Sequence, residues 1–176
     1  MRSAIGGFSR GDRRVELVDD ERPEREPLTF DSYAFHGYVL AMLEIVAAGM
    51  RFVARWEEEL APQTVAAFKA SLPIEDRIIH CRWSGESNWI PWGSKDFGIG
   101  PENATSYPHP GELALYPGGQ SETELLFPYG YCSFASKAGH LWANHFATLV
   151  EGQEQLKELG RLTLWEGAQQ ISFREI

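Results

Sequence analysis

The sequence predicts a mainly β protein, a closed β-barrel with two short capping helices, and three observations carry that expectation. Most of the chain after residue 41 breaks into short β-rich runs separated by Gly- and Pro-containing turns. Two stretches show helical rather than strand spacing, one near the start of that region and one near its end. At 176 residues and 43% hydrophobic content, the chain can bury one core but hardly two. Many short strands with only two helices are best accommodated by a sheet closed on itself with the helices at its ends.

Taken in order, composition first changes near Tyr38. Residues 10–27 are charged and proline-containing with no apolar periodicity, and read as a tail. Residues 28–38 then concentrate Phe30, Tyr33, Phe35 and Tyr38. Two readings are open: an extension from a start placed far upstream, or an arm that docks on its own barrel or on a neighbouring subunit to build a homo-oligomer. The expected division is therefore 1–37 as extension or docking arm and 38–176 as the barrel domain.

From Met42 the pattern is β. The apolar stretch 42–47, the pair Ala48-Gly49, and the alternation of Met50, Phe52, Ala54 and Trp56 with their neighbours predict a β-hairpin with one face inside. Pro62 in a first turn, with Val65, Phe68 and Leu72 at helical spacing before Pro73, predicts the first helix. Further strands are expected at 77–83, 89–92, 112–116, 123–127, 131–135 and 144–150, with 84–88, Pro117-Gly-Gly, Pro128-Tyr-Gly and Lys137-Ala-Gly between them. The stretch 93–110, rich in Gly and Pro, is a long loop of the kind that often carries function. A second helix is expected at 153–159, stopped by Gly160, and a last strand around Ile171 and Phe173.

Charge and composition exclude several roles. The net charge is −9 and the basic residues are scattered, which argues against a nucleic-acid groove and against binding to anionic membranes. The richest apolar run is interrupted by Glu44, and Asp12, Arg13, Arg14 and Glu16 stand where a secretory signal needs apolar residues, so a cytoplasmic protein is expected. Cys81 and Cys132 each lie among β-formers, which favours two buried free thiols over a bridge.

Specific segments carry a resemblance. Ala61-Pro-Gln-Thr-Val-Ala-Ala-Phe68 is similar to the entry to the first helix of cyclophilins, and Phe146-Ala-Thr-Leu-Val-Glu-Gly152, followed by Leu156 and Leu159, is similar to their late strand and second helix. Arg82-Trp-Ser-Gly-Glu86, Glu102-Asn-Ala-Thr105, Tyr116-Pro-Gly-Gly119 and Asn144-His-Phe-Ala147 resemble a bacterial cyclophilin-like family of unknown function, from about Met42 to the C-terminus. The resemblance implies a cyclophilin-like barrel and supplies no activity. Cyclophilin isomerases present an arginine in a Phe-His-Arg strand followed by Gln-Gly-Gly-Asp; here Ile79-His-Cys-Arg82-Trp stands in that place and the second motif is missing. Prolyl isomerisation is thus the alternative, and a rebuilt pocket the expectation.

That pocket is expected among the 82–86 turn, the 93–110 loop and the 137–145 segment. On a strand at 77–83, His80 and Arg82 share a face with Ile78. Either that face is solvated, or it brings Arg82, His80 and Glu86 to a pocket mouth, with Arg82 taking a small carboxylate or amide and His80 or Glu86 acting as acid or base. Trp83, Glu102, Asn103, Tyr107, Lys137, Asn144 and His145 complete the candidate ligand-binding set, and Trp89 and Trp92 are further aromatic candidates for its wall. No metal is expected, because His140 and His145 are spaced for neither a helical nor a strand pair, and no cofactor, because Pro117-Gly-Gly119 lacks the Lys-Ser/Thr ending of a phosphate loop. The expected function is binding of a small molecule or short peptide, with enzymatic activity left open; a non-catalytic, oligomerising interaction protein is the third reading.

Overall fold

A computed structural model describes residues 41–176. The expected N-terminal arm, and with it the expected mode of oligomerisation, lies outside the described residues.

The strands are β1 (Leu43–Ala47), β2 (Met50–Trp56), β3 (Ile74–His80), β4 (Gly85–Gly93), β5 (Ala104–Thr105), β6 (Glu112–Tyr116), β7 (Thr123–Cys132), β8 (Ala135–Ser136), β9 (Gly139–His140), β10 (Ala143–Glu151) and β11 (Gln169–Glu175). Helices α1 (Pro62–Lys69) and α2 (Leu156–Trp165) interrupt them, the second entered through a 3₁₀ turn at Gln153–Gln155. Antiparallel pairing runs β2-β1-β11-β3-β4-β7-β6-β10, and β10 returns to β2 through Ala147↔Trp56 and Leu149↔Ala54. Eight strands therefore close into a barrel. The β1–β2 hairpin turns on Ala48 and Gly49, both at positive φ, as a two-residue turn between twisted strands requires.

Closure makes an inside and an outside. Phe52, Leu113, Leu115, Leu125, Phe127, Phe146 and Phe173 fill the interior, with Phe52 edge-on to Phe127. α1 plugs one end: Phe68 packs 4.6 Å from Phe146 and 5.6 Å from Phe173, ring centre to ring centre. α2 covers the other end, where Leu156 and Leu159 join the core and Thr163 donates to Asn88 Oδ1 at 2.5 Å. A second, smaller cluster lies on the outer wall, where Ala114, Tyr116 and Leu126 are covered by Phe134, Leu141 and Cys81. Cys81 and Cys132 are buried and unbridged.

The expected strand at 131–135 is broken at Ser133 and Phe134, between β7 and β8, and four further boundaries differ from expectation, each for a physical reason. β7 runs unbroken through Pro128-Tyr-Gly, because Pro128 faces Ser87 beside a register shift in β4, where a missing ladder N–H is tolerated. α2 continues through Gly160 to Trp165, because Gly160 is the seat of the Tyr129 ring: a Cβ there would lie 2.4 Å from it. β3 begins at Ile74 and stops at His80, so Arg82 and Trp83 lie in a bend rather than on a strand face. The expected turn at 84–88 is mostly strand, since β4 begins at Gly85.

Candidate functional site

The bend at 81–84, the outer face of β7 and the β8–β9 hairpin enclose a cleft of about 190 Å³ on the barrel's outer wall. Each element places its side chains for a local reason. Leu125 and Phe127 point into the barrel, so strand alternation sends Glu124 and Leu126 outward beneath the covering segment. On β4 the same alternation turns Trp89 outward, opposite Leu126. Ser84 Oγ donates to Ala135 O and accepts the Ala135 N–H, both at 3.2 Å, clamping the bend to the hairpin. The bend then presents Arg82 and Trp83, and the hairpin presents Lys137.

Charge in the cleft is divided. Arg82 and Lys137 are exposed at its rim and form no ion pair among the described residues. Glu124 is 6% exposed, with no hydrogen bond or ion pair among the described residues. Burial, and after it the charge of neighbouring Glu122, pushes its carboxyl up to about 7, so Glu124 titrates near neutrality. The indole N–H of Trp89, which also lines the cleft, is buried and has no hydrogen-bond partner among the described residues. Cys81 closes the inner side. Burial holds its thiol well above the ordinary range, and burial likewise pushes Cys132 up to about 11, which leaves both neutral and poorly nucleophilic.

The two acid–base candidates lie elsewhere. Tyr129 Oη and His80 Nδ1 are 3.2 Å apart, and Glu86 accepts the Tyr131 N–H at 2.9 Å. Tyr129 and Glu86 border a separate groove of about 390 Å³ against α2, with Lys157, Arg161, Leu164 and Trp165. Burial lowers the His80 pKa, and burial, followed by the charge of Glu86, raises that of Tyr129. The expected trio is thus divided: His80 and Glu86 meet at Tyr129, while Arg82 faces the outer-wall cleft.

Four more candidates form a third group. Asn144, fully buried, donates to Thr64 Oγ1 at 3.0 Å and to Gly100 O at 2.9 Å, and accepts the Glu102 N–H at 3.0 Å. The Glu102 carboxylate accepts the Thr64 N–H at the start of α1. Asn103 donates to His145 O at 2.8 Å, and His145 Nε2 lies 2.8 Å from Thr148 Oγ1, which donates to Glu57. These residues fasten the 93–111 loop to β10 and α1. Tyr107 is exposed, and only its backbone N–H is bonded, to Thr105 Oγ1. Of the predicted set the structure therefore brings Arg82, Trp83 and Lys137 into one cleft.

A family model described as "Protein of unknown function (DUF3830)" matches residues 43–175. The chain belongs to the DUF3830 family. No curated protein matches it. Among solved structures, the DUF3830 chain is similar to McbB in complex with tryptophan, at 17% identity and TM-score 0.54, over 76% of this chain and 44% of McbB. It thus spans less than half the length of McbB. It is also similar to the hypothetical protein AF2241 from Archaeoglobus fulgidus, at 18% identity and TM-score 0.51, over 77% of this chain and 95% of that one. Both likenesses are of fold. Among the described residues of this DUF3830 chain no helix is long and apolar enough to cross a membrane, and no cluster of three or more His, Cys, Asp or Glu is placed to hold a metal.

The residue that sequence reasoning passed over is Glu124. Its signal was present: an acidic side chain in the run Thr-Glu-Leu-Leu-Phe, on the outward parity of a strand whose other outward residue is Leu126. What the sequence did not show is that the 133–142 segment folds over that face and removes it from water.

Proposed function

We propose that this DUF3830 protein has a cyclophilin-like barrel and binds a small carboxylate or amide, or the end of a short peptide, in the outer-wall cleft. The observation that supports this most directly is the facing of two cations without an ion pair among the described residues, Arg82 and Lys137, onto a cleft walled by Trp83 and Trp89. A guanidinium and an ammonium converging from two different elements suit an anionic or carbonyl group, and the indoles suit a flat apolar one. At about 190 Å³ the cleft is smaller than drug-sized sites, which restricts the ligand to a metabolite or a chain terminus.

The test is a thermal-shift screen of wild type and Arg82→Ala against small carboxylates, amides and Xaa-Pro peptides, with tryptophan added because McbB is found in complex with it. A ligand at a hundred times its Kd raises stability by about 2.7 kcal/mol if it binds only the folded state. The expected result is a stabilising carboxylate or amide whose effect disappears in Arg82→Ala. Stabilisation that survives both Arg82→Ala and Lys137→Ala would place the ligand elsewhere, and turnover of Xaa-Pro peptides would move the assignment to a prolyl isomerase.

A further inference from the structure

We infer that the ligand of the outer-wall cleft is a zwitterion, a free amino acid or the N-terminal residue of a peptide, with its ammonium on Glu124 and its anionic or carbonyl end on Arg82 and Lys137. The inference rests on the reading of that cleft given above and names the ligand's second charge.

The charge layout carries it. Three of the elements that face the cleft bring charged or titratable groups to it. The 81–84 bend contributes Arg82 and the neutral Cys81 thiol, the β8–β9 hairpin contributes Lys137, and β7 with the residue before it contributes Glu124 and the exposed Glu122. One side is cationic and exposed; the other is anionic and, at Glu124, nine-tenths buried. A plain carboxylate would satisfy Arg82 and Lys137 but leave Glu124 unpaired, adding a further negative charge beside Glu122 and Glu124. Burying an unpaired carboxylate is among the costlier arrangements in a protein, and the usual escape is protonation. That is how the empty cleft behaves, with Glu124 half-protonated near neutrality. An ammonium removes the difficulty by supplying the missing opposite charge, and its hydrogen atoms satisfy the Glu124 oxygens directly. The aromatic walls then accept a flat side chain between the two charged ends.

Proton linkage gives the inference a sign that a simpler ligand does not share. An ammonium favours ionised Glu124, so a zwitterion binds more tightly as pH rises toward 8 and releases a proton when it binds below about 7. A carboxylate without the amine favours protonated Glu124 and binds more weakly over the same rise. Cys81 remains neutral throughout, so Glu124 sets the direction.

The experiment is titration calorimetry of the full chain with tryptophan, N-acetyltryptophan and indole-3-propionate at pH 5.5, 6.5 and 8.0. Tryptophan is expected to bind about tenfold or more tightly than N-acetyltryptophan at pH 8.0, with the advantage shrinking at pH 5.5. Glu124→Gln should abolish that advantage while indole-3-propionate still binds. Should the variant fail to fold, the wild type alone decides: proton release on tryptophan binding at pH 6.5, read from buffers of different ionisation enthalpy, supports the inference, and proton uptake or none overturns it. Equal affinity for tryptophan and its N-acetyl form, with both lost in Arg82→Ala, would overturn the zwitterion and leave the carboxylate cleft standing. Binding by none of the three overturns both.

Discussion

Two of the regions in which this barrel buries polar groups treat them in opposite ways. At the α1 end, Asn144 is fully buried and makes three hydrogen bonds, to Thr64, Gly100 and the Glu102 N–H. Glu102, held there, supplies the carboxylate that the start of α1 lacks from its own sequence, since Ala61 at the cap position has no side-chain acceptor. On the outer wall, the Trp89 indole N–H is buried with no partner and the carboxylate of Glu124, a residue 6% exposed, makes no hydrogen bond or ion pair among the described residues. The Asn144 network is satisfied by the chain itself and belongs to the architecture, although the Trp56 indole N–H, packed beside Phe68 at the same end, is buried with no partner among the described residues. The second region brings a carboxylate with no side-chain partner among the described residues together with Arg82 and Lys137 at one cleft, which is why the functional reading is placed there and not at the equally polar 102–105 and 144–147 segments.

Breaking the satisfied network should have the largest effect. Asn144→Ala leaves Thr64 Oγ1, Gly100 O and the Glu102 N–H without their partner, and a loss of about 3 kcal/mol is expected, read as the shift of the urea midpoint at constant slope. Removing the unsatisfied group should act in the other direction. Glu124 has a folded pKa of about 7, above the ordinary carboxylate value of 4.5, so the folded state holds its proton more tightly; the stability this provides is full below 4.5 and is lost as pH rises to about 7. Glu124→Gln should therefore flatten the melting temperature between pH 4.5 and 7 and raise stability at pH 8 by on the order of 1 kcal/mol. Below that range both proteins should lose stability alike. Glu44, whose carboxyl is held low first by Arg174 and then by Arg51, contributes stability that disappears only as pH falls through its lowered value. The smallest effect is expected from Glu102→Gln, which keeps an acceptor for the Thr64 N–H and loses only charge at a helix start, about 0.5 kcal/mol in the same urea titration.

The barrel was legible because its cues are local. Alternation in β2, the Pro62 start of α1 and the Ile171–Phe173 pair each fix an element within a few residues of themselves. Where the reading failed, a distant group decided. Gly160 looks like a helix stop until the Tyr129 ring is known to occupy its open side, and Pro128 looks like a break until Ser87 and a shifted register stand opposite it. The candidate site was legible in part for the same reason. Arg82, Trp83 and Lys137 are polar or aromatic residues in turns, where exposure is the default, and they do meet in one cleft. Glu86 is only four residues from Arg82, yet β4 begins between them and carries it to the far side, against Tyr129 and α2. Glu124 depended on burial by the 133–142 segment, a tertiary event that no pattern in residues 123–127 encodes.

The seam between β10 and β2 has a consequence for how any polypeptide could be recognised. The eight strands close into a ring, so a visiting chain could add as a further strand only where neighbouring strands part or end. Among the described strands, such places are the β3–β4 seam, paired only at Ile79↔Trp89 and His80↔Asn88, the two-residue β5 and the short β8–β9 hairpin. At the outer-wall cleft the free edge is that of the short β8–β9 hairpin, so a peptide bound there is held by its side chains and its terminus rather than by its length, and affinity should stop growing after the first residue or two.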